Sequence, residues 1–220
     1  TGTTPKYHGV VANDWWDNRT GSEVYCAQDM DIEPVGTVES SSKRSPKNLR
    51  SLTFSDGIKL YTNDQGKSFG VSVKDRGAIF PAGHMADGAY WLDGAMHFVT
   101  STYYANELPK YVQDLNAEEL AMKQMRRGWR LELSPRKYEL SLEDENPYEP
   151  KLNNETSSFP YDLEKMAEQR GLGILKNTPI GNEMVLEMAL LLLKEEDLGD
   201  DEFTDFLGVS FSSPDYAGHT

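Results

Sequence analysis

The last forty residues constrain this chain most, because an apolar helical run leads into a short strand and then at once to a carboxylate and an imidazole. Residues 180–194 carry Met184, Leu186, Met188 and Leu190 to Leu193 almost all round, the pattern of a well-buried helix. Residues 206–211 are apolar and β-branched, a run suited to the middle of a parallel sheet. Pro214 ends it, and Asp215 and His219 follow four residues apart, so one helical turn or tight loop brings them to the same side. Helix then strand predicts an α/β fold with a mostly parallel sheet flanked by helices. Ligands of such sheets gather at the carboxyl ends of the strands. An Asp oxygen and a His nitrogen placed there are zinc-ligand types. The same spacing also allows Asp215 to cap a helix and His219 to lie on the surface.

A second stretch, residues 67–84, reads KSFGVSVKDRGAIFPAGH. Phe69, Val71 and Val73 alternate with Gly70 and Ser72, a strand entering a loop that begins at Lys74. Lys74 and Arg76 point to one side if the extended conformation persists that far, and would clamp an anion. A compact ammonium beside a planar guanidinium suits phosphoryl oxygens. The alternative is a solvated loop in which Asp75 pairs with one of the two cations.

Elsewhere the expectations are coarser. Asn13 lies between apolar neighbours and needs a hydrogen-bond partner, while Trp15 and Trp16 read as core packing. Residues 18–45 read as irregular structure with short strands, and 39–46 as a loop. A helix is expected to open at Ser45-Pro46 and run to residue 52, continued by 54–63 with Phe54, Ile58 and Tyr61 against the sheet. Residues 86–178 are rich in aromatics and charges and read as a cap inserted between core segments 1–85 and 179–220. Within it, 88–101 suggests a hairpin, 109–115, 118–127 and 162–169 suggest helices, and 134–160, with its acidic run at 143–145, suggests an exposed loop. His84 and His97 read as satisfied structural residues. Cys26, the single cysteine, reads as a small buried side chain. A net charge of −14 argues against a broad nucleic-acid footprint, and no apolar run is long enough to span a membrane.

The blocks TGTTPKYHGVVANDWWD, SVKDRGAIFPAGH, HFVTSTYYANELPKYV and VSFSSPDYAGH resemble, in order, the phosphate-irrepressible alkaline phosphatases of the alkaline phosphatase and nucleotide pyrophosphatase superfamily. The resemblance covers essentially all 220 residues. It implies a zinc-dependent phosphomonoester hydrolase with two zinc ions flanking a threonine nucleophile, and a phosphothreonine intermediate. It implies that Asn13, Lys74 and Arg76 contact phosphoryl oxygens and that Asp215 and His219 ligate one zinc. It places the nucleophile upstream of residue 1, so Thr1, Thr3 and Thr4 are not it, and the remaining metal ligands outside the chain. An internal fragment with negligible turnover of its own, from a periplasmic or secreted parent acting on phosphate monoesters, is therefore expected. The alternatives are a phosphodiesterase of the same superfamily and a non-catalytic domain binding metal or glycan through the aromatic-rich region.

Overall fold

The computed structural model describes residues 1–140, 142, 145–148, 151–152 and 157–219. The elements run α1 (Pro5–His8), β1 (Asp14–Asp17), β2 (Ser22–Tyr25), β3 (Pro34–Val35), α2 (Phe54–Tyr61), β4 (Ser68–Ser72), α3 (Asp75–Ala82), β5 (Gly88–Leu92), β6 (Phe98–Ser101), α4 (Lys110–Ala117), α5 (Leu120–Met125), α6 (Leu163–Arg170), α7 (Pro179–Glu195), β7 (Phe206–Ser210) and α8 (Ser213–Gly218), with short 3₁₀ turns between. Five strands form the central sheet in the order β3-β6-β5-β4-β7. The expected parallel core is β5-β4-β7, and β6 and β3 extend it antiparallel. β1 and β2 make a separate antiparallel hairpin.

Alternation along the strands divides the core between two faces. Phe69, Val71, Tyr90, Leu92 and Phe98 meet the side chains of α4 to α7. Ala89, Trp91 and Val99 meet α3 together with Cys26 and Ala27 from the end of the hairpin. Helix α3 approaches β4 closely because Gly70 has no side chain: a Cβ there would sit 2.1 Å from the Ala78 carbonyl oxygen. The expected hairpin at 88–101 is present as β5 and β6, yet both are strands of the central sheet although they fall within residues 86–178. The acidic run at 143–145 and Pro150 lie partly outside the described residues, at positions 143, 144 and 150.

Several expectations fail for identifiable reasons. Residues 45–52 are not helical. Their polar groups serve the neighbouring hairpin instead: Ser45 N donates to Ala27 O, and Asn48 Nδ2 donates to the carbonyls of Tyr25, Cys26 and Gln28. Helix α2 forms as expected but turns the opposite face inward. Ser55, Asp56 and Lys59 are buried, while Phe54 and Tyr61 are exposed. The buried polar face caps its neighbour, since Ser55 Oγ donates to Pro81 O and Ala82 O at the end of α3. Phe54 keeps one apolar contact, its ring lying edge-on to Phe206 with centroids 6.1 Å apart. Trp15 packs against the second cluster, but Trp16 is 64% exposed and is no core residue. β7 is an edge strand among the described residues, not a central one. Helix α7 buries one face, with Leu186, Leu190 and Leu193 outward. Cys26 is buried as expected, and burial pushes its thiol pKa up.

Asp56 closes a capping box with Thr53 and accepts hydrogen bonds from His84 and Met85 N. His84 is thus a structural residue, its second nitrogen meeting Leu49 O. Burial raises the Asp56 carboxyl pKa, but the hydrogen bonds from Thr53, His84 and Met85 outweigh it and leave the pKa below its ordinary value. A depressed folded pKa stabilises above the unfolded value, near pH 4, and that stabilisation disappears as pH falls through the lower folded value. Asp56→Asn is therefore expected to lower unfolding stability by about 2–4 kcal/mol at pH 7, with the gap to the parent closing below about pH 4. Thermal melts at both pH values check this.

Candidate active site

The site is assembled where β4 and β7 end. These strands pair in parallel register, Ser72 opposite Ser210, so the segments that follow them leave the sheet on one rim. A hydroxyl bridge ties the two exits together, with Ser72 Oγ 3.1 Å from Ser212 Oγ and Ser210 Oγ 2.8 Å from Ser212 Oγ. After β4 the backbone is extended at Lys74, the residue that precedes α3, and α3 begins at Asp75. The expected loop at 74–77 is therefore a helix start. Gly77 is required there, since a Cβ would meet Ser72 Oγ at 2.5 Å.

This turn separates the two cations. Lys74 Nζ forms an ion pair with Asp215 Oδ2, although 141 positions separate the two residues in the chain, and lies 4.5 Å from the centre of the Tyr216 ring. Arg76 turns toward the hairpin, its Nη1 donating to Tyr25 Oη at 3.0 Å. Asp75 neutralises neither side chain. It accepts from Tyr25 Oη at 2.5 Å and from Arg44 Nε at 2.7 Å. Burial lowers the Lys74 pKa, and the Arg76 charge lowers it further, so the two cations act on each other although they point apart. The charge of Asp75 opposes that shift without reversing it. Burial, followed by the charge of Asp75, pushes the Tyr25 pKa up, so the phenol keeps its proton and can donate.

Asp215 lies in the first turn of α8 and His219 at its C-terminal cap, with Asp215 Oδ1 3.3 Å from His219 Nε2. Asn13 precedes β1 and is exposed; its carbonyl accepts from Cys26 N at 2.7 Å, next to Tyr25 in the ladder. The amide of Asn13 has no partner among the described residues, so the hydrogen bond expected for it is left to solvent or a ligand. Asp215 is thus in direct contact with both Lys74 and His219, and Arg76 and Asn13 are linked to one another through Tyr25 and Cys26. Sequence reasoning missed Tyr25, Arg44 and Tyr216. Tyr216 is next to a candidate ligand in the chain, but Tyr25 is fifty residues from its partner and carries no local signal.

The donor set suits one half of a tetrahedral metal site. Bonds of about 2.0–2.1 Å from zinc to oxygen and nitrogen put neighbouring donors about 3.3 Å apart, the separation of Asp215 Oδ1 and His219 Nε2. Among the described residues no group of three or more His, Cys, Asp or Glu gathers around a common point. No helix among the described residues is long and apolar enough to cross a membrane.

The family described as type I phosphodiesterase / nucleotide pyrophosphatase matches residues 1–220. Alkaline phosphatase PafA of Elizabethkingia meningoseptica is 43% identical over 223 aligned residues, covering 100% of this chain and 41% of that protein. A Myroides odoratus protein named calcium-transporting ATPase is 42% identical with the same coverage. The crystal structure of PafA superposes with a TM-score of 0.95 at 43% identity, over 100% of this chain and 43% of that one. A solved PafA variant, matching with a TM-score of 0.96 at 41% identity over the same shares, has a threonine, an asparagine, a lysine and an arginine substituted, the last two separated by one residue. The chain spans about two fifths of the length of these curated relatives. By fold and by sequence over its whole length, the chain belongs to the type I phosphodiesterase / nucleotide pyrophosphatase family and aligns throughout with PafA-type alkaline phosphatases.

Proposed function

We propose that this chain supplies the phosphoryl clamp and two ligands of one zinc site in a phosphomonoester hydrolase. The observation that carries the reading is the contact of Lys74 with Asp215, itself 3.3 Å from His219, at the shared rim of β4 and β7. Cation and metal ligands so placed would meet one phosphate group. The PafA variant supports the assignment of Asn13, Lys74 and Arg76, because its substituted lysine and arginine have the spacing of Lys74 and Arg76. The N-terminus of α3 adds its positive end at the same place.

The chemistry follows from charge. A monoester dianion presents three nonbridging oxygens, and Lys74, Arg76 and the Asn13 amide offer donors for them. Bound zinc would supply Lewis-acid polarisation of a phosphoryl oxygen and a site at which an attacking alkoxide is favoured. Lys74 has a second task before ligands arrive, because it occupies the Asp215 carboxylate. Were Asp215 to hold a metal, the Lys74 ammonium would be left to the anion. The resemblance assigns the nucleophile to a threonine outside residues 1–220, the other zinc ligands likewise, and an exported location. With the clamp and two ligands alone, turnover by residues 1–220 is negligible.

A full-length protein carrying this chain is expected to hydrolyse an aryl phosphate monoester in a zinc-dependent manner. Asp215→Ala is expected to lower both bound zinc and turnover, zinc by about tenfold or more in affinity, since the site loses one of its donors. Metal content by mass spectrometry and initial rates check it. Wild-type zinc content in Asp215→Ala would remove Asp215 from the metal site. A phosphodiesterase is the second reading, favoured by the family description itself.

A further inference from the structure

Arg76 is held by a group that is distant in the chain. Its Nη1 donates to Tyr25 Oη at 3.0 Å, Tyr25 donates to Asp75 Oδ1 at 2.5 Å, and Arg44 Nε donates to Asp75 Oδ2 at 2.7 Å. The Arg44 guanidinium also lies over the Tyr25 ring, 4.3 Å from its centre. Every role in this relay is fixed by chemistry. An ionised carboxylate only accepts and a guanidinium only donates, so the phenolic proton faces Asp75 and its lone pairs face Arg76. A planar guanidinium held at one nitrogen has its other N–H groups aimed in a defined direction. Arg44 and Asp75 are both largely buried, which keeps the relay out of competition with water.

The relay also joins two parts of the anion site. Tyr25 closes β2 opposite Asp14, and the next residue, Cys26, donates its N–H to Asn13 O. One hairpin therefore carries Asn13 and the phenol that fixes Arg76. We propose that Tyr25 is a positioning residue for phosphoryl binding, its hydroxyl orienting the Arg76 guanidinium toward the anion that Asn13 also contacts. Asp75 and Arg44 fix the phenol. This rests on the reading of Arg76 as a phosphoryl ligand.

The test uses a full-length protein carrying this chain, with inorganic phosphate as the probe. Tyr25→Phe keeps the ring and removes the hydroxyl. It is expected to weaken inhibition by phosphate and lower kcat/KM for an aryl phosphate about tenfold, with the protein still folded and its unfolding temperature lowered by only a few degrees. In an Arg76→Ala background the same change is expected to cost less than about twofold, because the group it positions is gone. Asp75→Asn, which takes away the anionic acceptor, is expected to act in the same direction as Tyr25→Phe. Unaltered phosphate inhibition in Tyr25→Phe, or a full tenfold cost persisting without Arg76, would overturn the positioning role while leaving the clamp in place. Unaltered inhibition in Arg76→Ala itself would overturn the clamp, and this role with it.

Discussion

Replacing Lys74 and Arg76 together by alanine in a full-length protein carrying this chain is expected to reduce kcat/KM for a phosphate monoester by about a thousandfold or more. Hydrolysis of a diester is expected to fall by less than about tenfold. Removing one donor to a developing oxyanion typically costs a hundredfold to a thousandfold. Two donors to the same group act as a unit, so the double loss is smaller than the product of the single ones. The selectivity follows from charge: a monoester dianion leaves three oxygens to be neutralised, whereas a diester carries one charge fewer and uses one of those positions for its second ester group. The two cations lie at one helix start, Lys74 in contact with Asp215 and Arg76 fixed by Tyr25. Initial rates with an aryl monoester and the matching diester measure the effect. Equal losses on both substrates would show that the cations serve general binding and would favour the phosphodiesterase reading.

The second large effect concerns Gly70, remote from any ligand. A Cβ at this position would lie 2.1 Å from the Ala78 carbonyl oxygen and 2.9 Å from Ala82 Cβ. Neither can yield alone, since the first is helix backbone and the second is buried against the sheet. The whole of α3 would have to lift from β4. Gly70→Ala is accordingly expected to destabilise by about 3 kcal/mol or more, at the upper end of single substitutions. Because Lys74 caps α3 and Arg76 lies in its first turn, the folded fraction is also expected to lose monoesterase activity. Thermal unfolding and specific activity measure the two parts. An unfolding temperature within a degree of the parent's would contradict the close contact of α3 with β4.

The sequence revealed those parts of the site that follow directly after strands. Asp215 and His219 stand just past an apolar run, and Lys74 just past another, so the rule that α/β sheets bind at carboxyl ends brings them to one rim. The β4-β7 register and the Lys74 to Asp215 contact have that arrangement. The direction of Arg76 was not legible, because it depends on where the backbone turns from extended to helical, a difference of one or two residues. Tyr25 was invisible for another reason: its partners come from a different segment, and no local pattern marks a tyrosine as a hydrogen-bond relay. Helix α2 shows the limit of periodicity. Phe54, Ile58 and Tyr61 have helical spacing, yet the face turned inward is Ser55, Asp56 and Lys59, because those groups cap the end of α3 and hold His84 and Asp87. Hydrophobic periodicity identifies a helix, but a neighbour's unsatisfied carbonyls can decide which side of it is buried.

The most direct test is diffraction at the zinc absorption edge from crystals of a full-length protein carrying this chain, grown with inorganic phosphate. The expected result is an anomalous peak bonded to an Asp215 oxygen and to His219 Nε2, with phosphate oxygens within hydrogen-bonding distance of Lys74, Arg76 and the Asn13 amide. A metal bonded elsewhere, with Lys74 still seated on Asp215 and phosphate remote from Arg76, would contradict it.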